Sequence, residues 1–269
     1  MTRTGTILML ALSASAAFGG VAFAGRGDVT CTNATLGAVS VHNVTVAAGA
    51  SCWLAGTNVT GDVQVRDGGS LTTDAATTIR GDIHLEDDAR LWATGTTIGK
   101  DVSCDHCASV SLKNATVGHD IHTNHASAGV SIIGCHVGHD VEVEHGTGGT
   151  YAINNNTVGH EVEFEHNMGA SVIMGNNIDE ELECKDNVPA PTGGNNTAEE
   201  IEGQCVGLHL ACPCTDAPTG DVNFSFSKCP TAQGSLVLCD QSVNACYGAT
   251  TDVTVCNACR QQYHLFCGQ

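Results

Sequence analysis

Three short stretches return the same chemistry at nearly the same interval. They read GHD at Gly118–Asp120, GHD at Gly138–Asp140 and GHE at Gly159–Glu161. A second histidine series, His106, His125, His145 and His166, falls five residues after the acidic phase, while His122, Glu142 and Glu163 fall two after it. Imidazole and carboxylate both ligate divalent metals; nitrogen-containing sets suit Zn²⁺ or Cu²⁺, and all-oxygen sets suit Ca²⁺. A protonated imidazole beside a carboxylate is also an ion pair that dissolves as pH rises past about 6.5. The candidate ligands are therefore His106, His119, His122, His125, His139, His145, His160 and His166, with Asp120, Asp140, Glu142, Glu161 and Glu163. No single unit supplies three or four ligands by itself, so the spacing names cation attraction rather than one metal, and no cofactor is required. The competing reading is that duplication copied a soluble His–acid face that binds nothing.

Such residues act together only if the chain stacks them. The acid that follows each Gly or His recurs at Asp62, Asp82, Asp101, Asp120, Asp140, Glu161, Glu181 and Glu200, in steps of 19 to 21 residues, and Asn43 extends the series backward. An aliphatic residue stands three before the acid (Val59, Ile79, Ile98, Val117, Val137, Val158, Ile178) and another directly after it (Val63, Ile83, Val102, Ile121, Val141, Val162, Leu182). The stretches DVQV, DIHL and DVEV alternate at period two, which is strand chemistry, and Gly, Asn and Asp punctuate the gaps. A unit near twenty residues is too short for a strand plus a helix. It fits three short strands per coil of a parallel β-helix, with coils about 4.8 Å apart. The leucine-rich repeat shares this period but needs a Leu-rich consensus that is missing.

The chain therefore reads as all-β: a β-solenoid of about nine coils, about 40 Å long at that spacing, right-handed by the usual sense of such connections. With the aliphatic residues inward, the acid and the second and fourth residues after it face outward. Stacked carboxylates about 5 Å apart repel by roughly 1 kcal/mol in water, a standing cost that something must offset. A column of Thr and Asn (Asn58, Thr78, Thr97, Thr116, Thr157, Asn177, Thr197) is expected to form a side-chain ladder.

The stretches TIGKDV from Thr97, TVGHDI from Thr116 and TVGHEV from Thr157 follow the pattern T-[VI]-G-x-[DE]-[VI], and PAPTGGNNTAEEIEGQC from Pro189 closes the series. The pattern resembles the short parallel β-helix repeats of exported bacterial proteins and, more distantly, polymer-forming bactofilins. The resemblance covers about two-thirds of the chain and implies architecture, with end-to-end self-association as a further expectation. It does not extend to an N-terminal leader or a Cys-rich tail, which bactofilins lack.

Residues 1–24 have the layout of a secretory signal peptide: Arg3, an apolar run from Ile7 to Ala17, and Ala22-Phe23-Ala24 as the exit. The apolar run is short for a membrane span. The solenoid is expected over 25–205 and a small disulfide-rich domain over 206–269, where eight cysteines follow Cys205. Fifteen cysteines in an exported chain read as disulfides first. Cys31 with Cys52 and Cys184 with Cys205 each lie about one coil apart and staple the two ends, and the CDHC of Cys104–Cys107 reads as a local disulfide or a packing pair. The tail's CPC and CNAC with His264 could instead hold zinc.

With 29 Asp+Glu against 10 Lys+Arg, the net charge of −19 argues against nucleic acid and anionic membranes. It favours divalent cations or basic extracellular matrix surfaces as partners. The expected function is a non-enzymatic secreted or cell-surface structural or binding solenoid with an acidic, histidine-rich, cation-attracting face. The alternatives are an extracellular divalent-metal-binding or sequestration protein and, third, a polysaccharide-active β-helix enzyme. The last would need inserted loops, an irregular cleft and basic groups; the coils here are regular to within a residue.

Overall fold

The computed structural model describes residues 27–208 in full and, beyond them, the backbone of three strands, Phe226–Pro230, Leu236–Asp240 and Ala245–Tyr247. The expected signal peptide at 1–24 lies outside the described residues, as do the tail's cysteine pairings and its possible zinc site. The three tail strands pair antiparallel.

Residues 29–203 form a parallel β-solenoid of three sheets, with ten, nine and eight strands. The first, the carboxylate sheet, runs from Val29–Cys31 through Ile121–Asn124 to Glu200–Gly203. The second runs from Ala34–Leu36 through Arg90–Thr94 to Thr192–Gly194. The third consists of two-residue strands, from Ser40–Val41 to Asn177–Ile178. Each strand pairs with its equivalent one repeat on, so Val63, Ile83, Val102, Ile121, Val141, Val162 and Leu182 form one vertical file. All seven are completely buried. Side-chain period two makes the register unforgiving, because a one-residue slip would turn this file into solvent and the carboxylates into the core.

The repeat's glycine has a packing cause. A Cβ at Gly118, Gly138 or Gly159 would lie 2.1–2.3 Å from the carbonyl oxygen of the glycine one coil earlier. The corner beside Thr97, Thr116 and Thr157 therefore stacks backbone on backbone.

The expected Thr/Asn ladder is found only in part. In that column, Asn58 Nδ2 donates to Ser40 Oγ and Thr197 Oγ1 to Asn177 Oδ1, at its two ends. The continuous ladder lies one residue earlier and is buried. Asn156 donates its backbone N–H and its Nδ2 to Asn176 Oδ1, both at 3.0 Å, and Asn176 does the same to Asn196 at 3.0 and 2.8 Å. Each Nδ2 also reaches a backbone carbonyl, Ile132, Ile153 and Ile173 in turn. A second such file joins Asn167 and Asn187 to Gln204. An inward corner strands backbone groups away from water, and a side-chain amide satisfies both a donor and an acceptor there. The Thr hydroxyls on the outer face meet solvent and need no such ladder.

Disulfides join Cys31–Cys52, Cys104–Cys107 and Cys184–Cys205, as the spacing indicates. The first and last bind adjacent coils at each end of the stack, where an open sheet edge invites further pairing. Among the described residues, no helix is long and apolar enough to cross a membrane.

Candidate cation-binding face

The outward surface of the carboxylate sheet is organised by one acid per coil. The backbone N–H of each acid donates to the side-chain oxygen of the equivalent residue one coil earlier. The series runs Asp62 to Asn43, Asp82 to Asp62, Asp101 to Asp82, Asp120 to Asp101, Asp140 to Asp120 and Glu161 to Asp140, at 2.9–3.2 Å. This gives the recurring acid a structural role: a short carboxylate bridges the gap between coils at a corner where the strand N–H otherwise has no partner. It also supplies part of the offset that stacked charges require. The relay ends where Asp gives way to Glu. Beyond that point desolvation, followed by the Asp140 charge, raises the Glu161 carboxyl above the usual carboxylate range, and desolvation with Glu202 does the same at Glu181.

The residue before the acid supplies the positive partner, and it too reaches back one coil. Lys100 Nζ lies 3.1 Å from Asp82, His119 Nδ1 lies 3.6 Å from Asp101, His139 Nδ1 lies 3.2 Å from Asp120 and His160 Nδ1 lies 2.6 Å from Asp140. His139 Nδ1 also sits 2.9 Å from Oδ2 of its own neighbour Asp140. The His139 and His160 rings stack at 4.7 Å. Asp140 is thus enclosed between two imidazoles, with 13% of its side chain exposed against 41% for Asp120. The hydrogen bond with Asp140, outweighing desolvation, holds the His160 imidazole above its usual pKa, helped by the Glu180 charge.

The second series forms an unbroken pile of rings. His106, His125, His145 and His166 stack at 4.5, 5.2 and 4.9 Å, with planes within 12° of parallel. All four have a left-handed backbone, φ 50–60°. They occupy the turn that ends the carboxylate strand, a conformation that histidine enters more readily than most residues. His106 Nδ1 lies 3.0 Å from Asp105 Oδ1. The Nδ1 of His125 is buried without a hydrogen-bond partner, as is Oδ1 of the adjacent Asn124.

Between the two histidine series runs the column His122, Glu142, Glu163, Glu183. His122 Nδ1 makes a close contact with Glu142 Oε2. Glu163 has no such partner. Desolvation, then the charges of Glu161, Glu142, Glu165 and Glu144, push its carboxyl up to about 7.

Of the thirteen residues indicated by the sequence, all lie on this sheet or at its borders, but only five enter a compact ligand set. His139, Asp140 and His160 offer three ligand atoms within 4.8 Å of one another, and so do His106 and His125 together with Asp105. His119, Asp120, His122, Glu142, His145, Glu161, Glu163 and His166 surround these sets without joining a group of three. Asp105, the fourth residue after Asp101, was readable as outward-facing, but so were Glu144 beside His145 and Glu165 beside His166, and nothing in the spacing singles it out as a ligand. Glu180, whose Oε2 lies 3.1 Å from His160 Nε2, was signalled only by being the acid in the histidine column.

Bonds of about 2.1 Å in a tetrahedral Zn²⁺ site place ligand atoms about 3.4 Å apart, so either set closes on an ion by side-chain shifts of about 1 Å. The donor chemistry, two imidazoles and one carboxylate, fits Zn²⁺ or Cu²⁺ better than Ca²⁺. The orphaned Nδ1 of His125 fits a role as ligand. Comparison of the chain with protein-family models, with curated proteins and with solved structures finds no match to any of them.

Proposed function

We propose that this protein is an exported, non-catalytic β-solenoid that gathers divalent transition-metal cations, Zn²⁺ or Cu²⁺, on its carboxylate sheet. The observation that carries this reading is the convergence of His139, Asp140 and His160 in neighbouring coils, with ligand atoms within 4.8 Å. Asp105, His106 and His125 repeat the composition two coils earlier at the other border of the same sheet. The surrounding acids contribute field rather than ligation, raising the local cation concentration. The three disulfides support an oxidising, extracellular setting. A binding role also accords with the cations of this face, since Arg66, Lys100 and Lys185 are each held by Glu86, Asp82 and Glu165 rather than left to act on a substrate.

Calorimetric titration with Zn²⁺, Cu²⁺ and Ca²⁺ tests it. The native chain should take up Zn²⁺ and Cu²⁺ in preference to Ca²⁺, and His139→Ala with His160→Ala should weaken the tightest site by about tenfold or more, ~1.4 kcal/mol per factor of ten. Equal affinity in the double variant, or a preference for Ca²⁺, refutes the assignment.

A further inference from the structure

The second sheet faces away from this chemistry and has the opposite character. Its nine strands contain no Asp or Glu, in a chain that carries 29. Both tryptophans of the protein are here, and both are exposed: Trp53 at 48% and Trp92 at 42%. They share one outward column, with Thr72 between them. Two rungs separate them, about 9.6 Å at the usual strand spacing. That column and the outward one beside it present the hydroxyls of Ser51, Ser70, Ser109 and Ser111. Arg90 stands two residues before Trp92 on the same strand, and Lys113 stands on the next strand, paired with Thr94. Neither cation forms an ion pair among the described residues, whereas Arg66, Lys100 and Lys185 do.

From this we infer that the second sheet is a docking platform for a polyuronate, an extended β-linked polysaccharide whose sugars carry carboxylates. Indole faces stack on the apolar faces of sugar rings, and a platform repeating every second rung matches a disaccharide repeat along an extended chain. Flanking hydroxyls exchange hydrogen bonds with sugar hydroxyls. The two free cations beside Trp92 select carboxylated sugars, and Arg90 can grip a carboxylate in a bidentate fork. Leaving large apolar side chains bare on a flat face costs free energy unless a partner covers them. The protein's overall negative charge does not forbid the contact: at physiological salt, charges more than about 8 Å away are screened, and the strands of this sheet carry no acid, the nearest ones (Asp67, Asp74, Asp87 and Asp88) lying in the turns at its edges.

Because the protein's only tryptophans lie on this face, indole emission reports on it alone. The full chain is titrated with a polyuronate and with a neutral β-glucan of equal length, in EDTA so that the cation face takes no part. The expected result is a blue shift and saturable binding with the polyuronate. Trp53→Ala and Trp92→Ala should each weaken that binding by about tenfold, as loss of one ring stack does. Arg90→Gln with Lys113→Gln should abolish the preference over the neutral polymer. All four side chains are exposed, so far-ultraviolet dichroism should stay native. Equal binding of both polymers, or polyuronate binding that survives the tryptophan substitutions, overturns the inference. So does emission that is already blue-shifted and unresponsive, which would mean that another part of the chain or a second copy covers the face.

Discussion

The Nδ1 of His160 lies 2.6 Å from Oδ1 of Asp140, the acid of the preceding coil, and it repeats with imidazole what Lys100 does with ammonium at Asp82. One position in the repeat therefore holds a permanent cation early in the stack and a titratable one later. Lysine only neutralises its acid. Histidine neutralises it at low pH and becomes a nitrogen ligand beside it at higher pH.

Metal uptake should accordingly release protons. His160 is held protonated above the usual imidazole range by Asp140, and Glu163 holds a proton up to about 7. Titrations with Zn²⁺ near pH 7 in buffers of different ionisation enthalpy should show proton release that falls away above pH 8, and affinity that drops steeply toward pH 5.5. A pH-independent affinity between these limits contradicts a site containing His139 and His160.

Stability without metal should fall as pH rises through neutrality. His160 and Glu163 are both raised in the folded state, so each contributes stability that is complete below its unfolded pKa and is lost as pH climbs through its folded one. Glu163→Gln removes the Glu163 part. Thermal unfolding should show the variant more stable than the native chain at pH 8, by at most about 1 kcal/mol once solvent screening is counted, and indistinguishable from it near pH 4. Greater stability of the variant at both pH values would contradict an origin in the charge of Glu163.

The buried asparagine file should matter more than any surface charge. Asn176 satisfies its own N–H through Asn196, the N–H of Asn156 and the carbonyl of Ile153. Asn176→Ala keeps its own N–H on Asn196 but leaves the N–H of Asn156 and the carbonyl of Ile153 without the side-chain amide inside the corner, and should cost about 2–3 kcal/mol in denaturant unfolding. Asn177→Ala, one residue on and exposed, should cost far less; equal costs would mean that the ladder is not continuous in solution.

Gly138→Ala tests the stacking of the corner. Its Cβ would meet Gly118 O at 2.1 Å, and the obstacle is backbone, which cannot rotate away. A loss of about 1–3 kcal/mol is expected, the usual cost of overpacking. Because the coils on both sides must shift, the Asp140 relay and the His139–Asp140–His160 set should loosen with it, visible as weaker Zn²⁺ binding.

Much of this was legible in the sequence because a repeat prints its geometry many times. The interval of the acids, the flanking aliphatics and the period-two alternation suffice to place Val63 to Leu182 in one inward file, and one-coil spacing suffices to pair Cys31 with Cys52. The cation-binding face was readable as a surface, because alternation tells which side chains leave the core. Its convergence points were not. Whether His139 approaches Asp120 or Asp140, and whether His125 keeps a hydrogen-bond partner, depend on rotamers at corners, where period two no longer applies. The Asn156–Asn176–Asn196 file was missed because burial at the corner is decided by the bend between sheets, so the Thr column one residue later looked equally fit. Trp53 and Trp92 lie in different coils with Thr72 between, and they recur too seldom to register as a period.

The carboxylate relay also gives the molecule a direction and a rule for growth. A cassette from Asp120 through His139 brings one side-chain acceptor facing forward and one amide donor facing back. Spliced in whole after another aspartate, it leaves no orphaned group at either seam, so tandem duplication can lengthen the rod at little cost. After a glutamate the seam fails, because the longer arm does not make the bond. Extension is therefore open at any seam from Asn43, which already accepts from Asp62, to Asp140, which accepts from Glu161, and closed beyond Glu161.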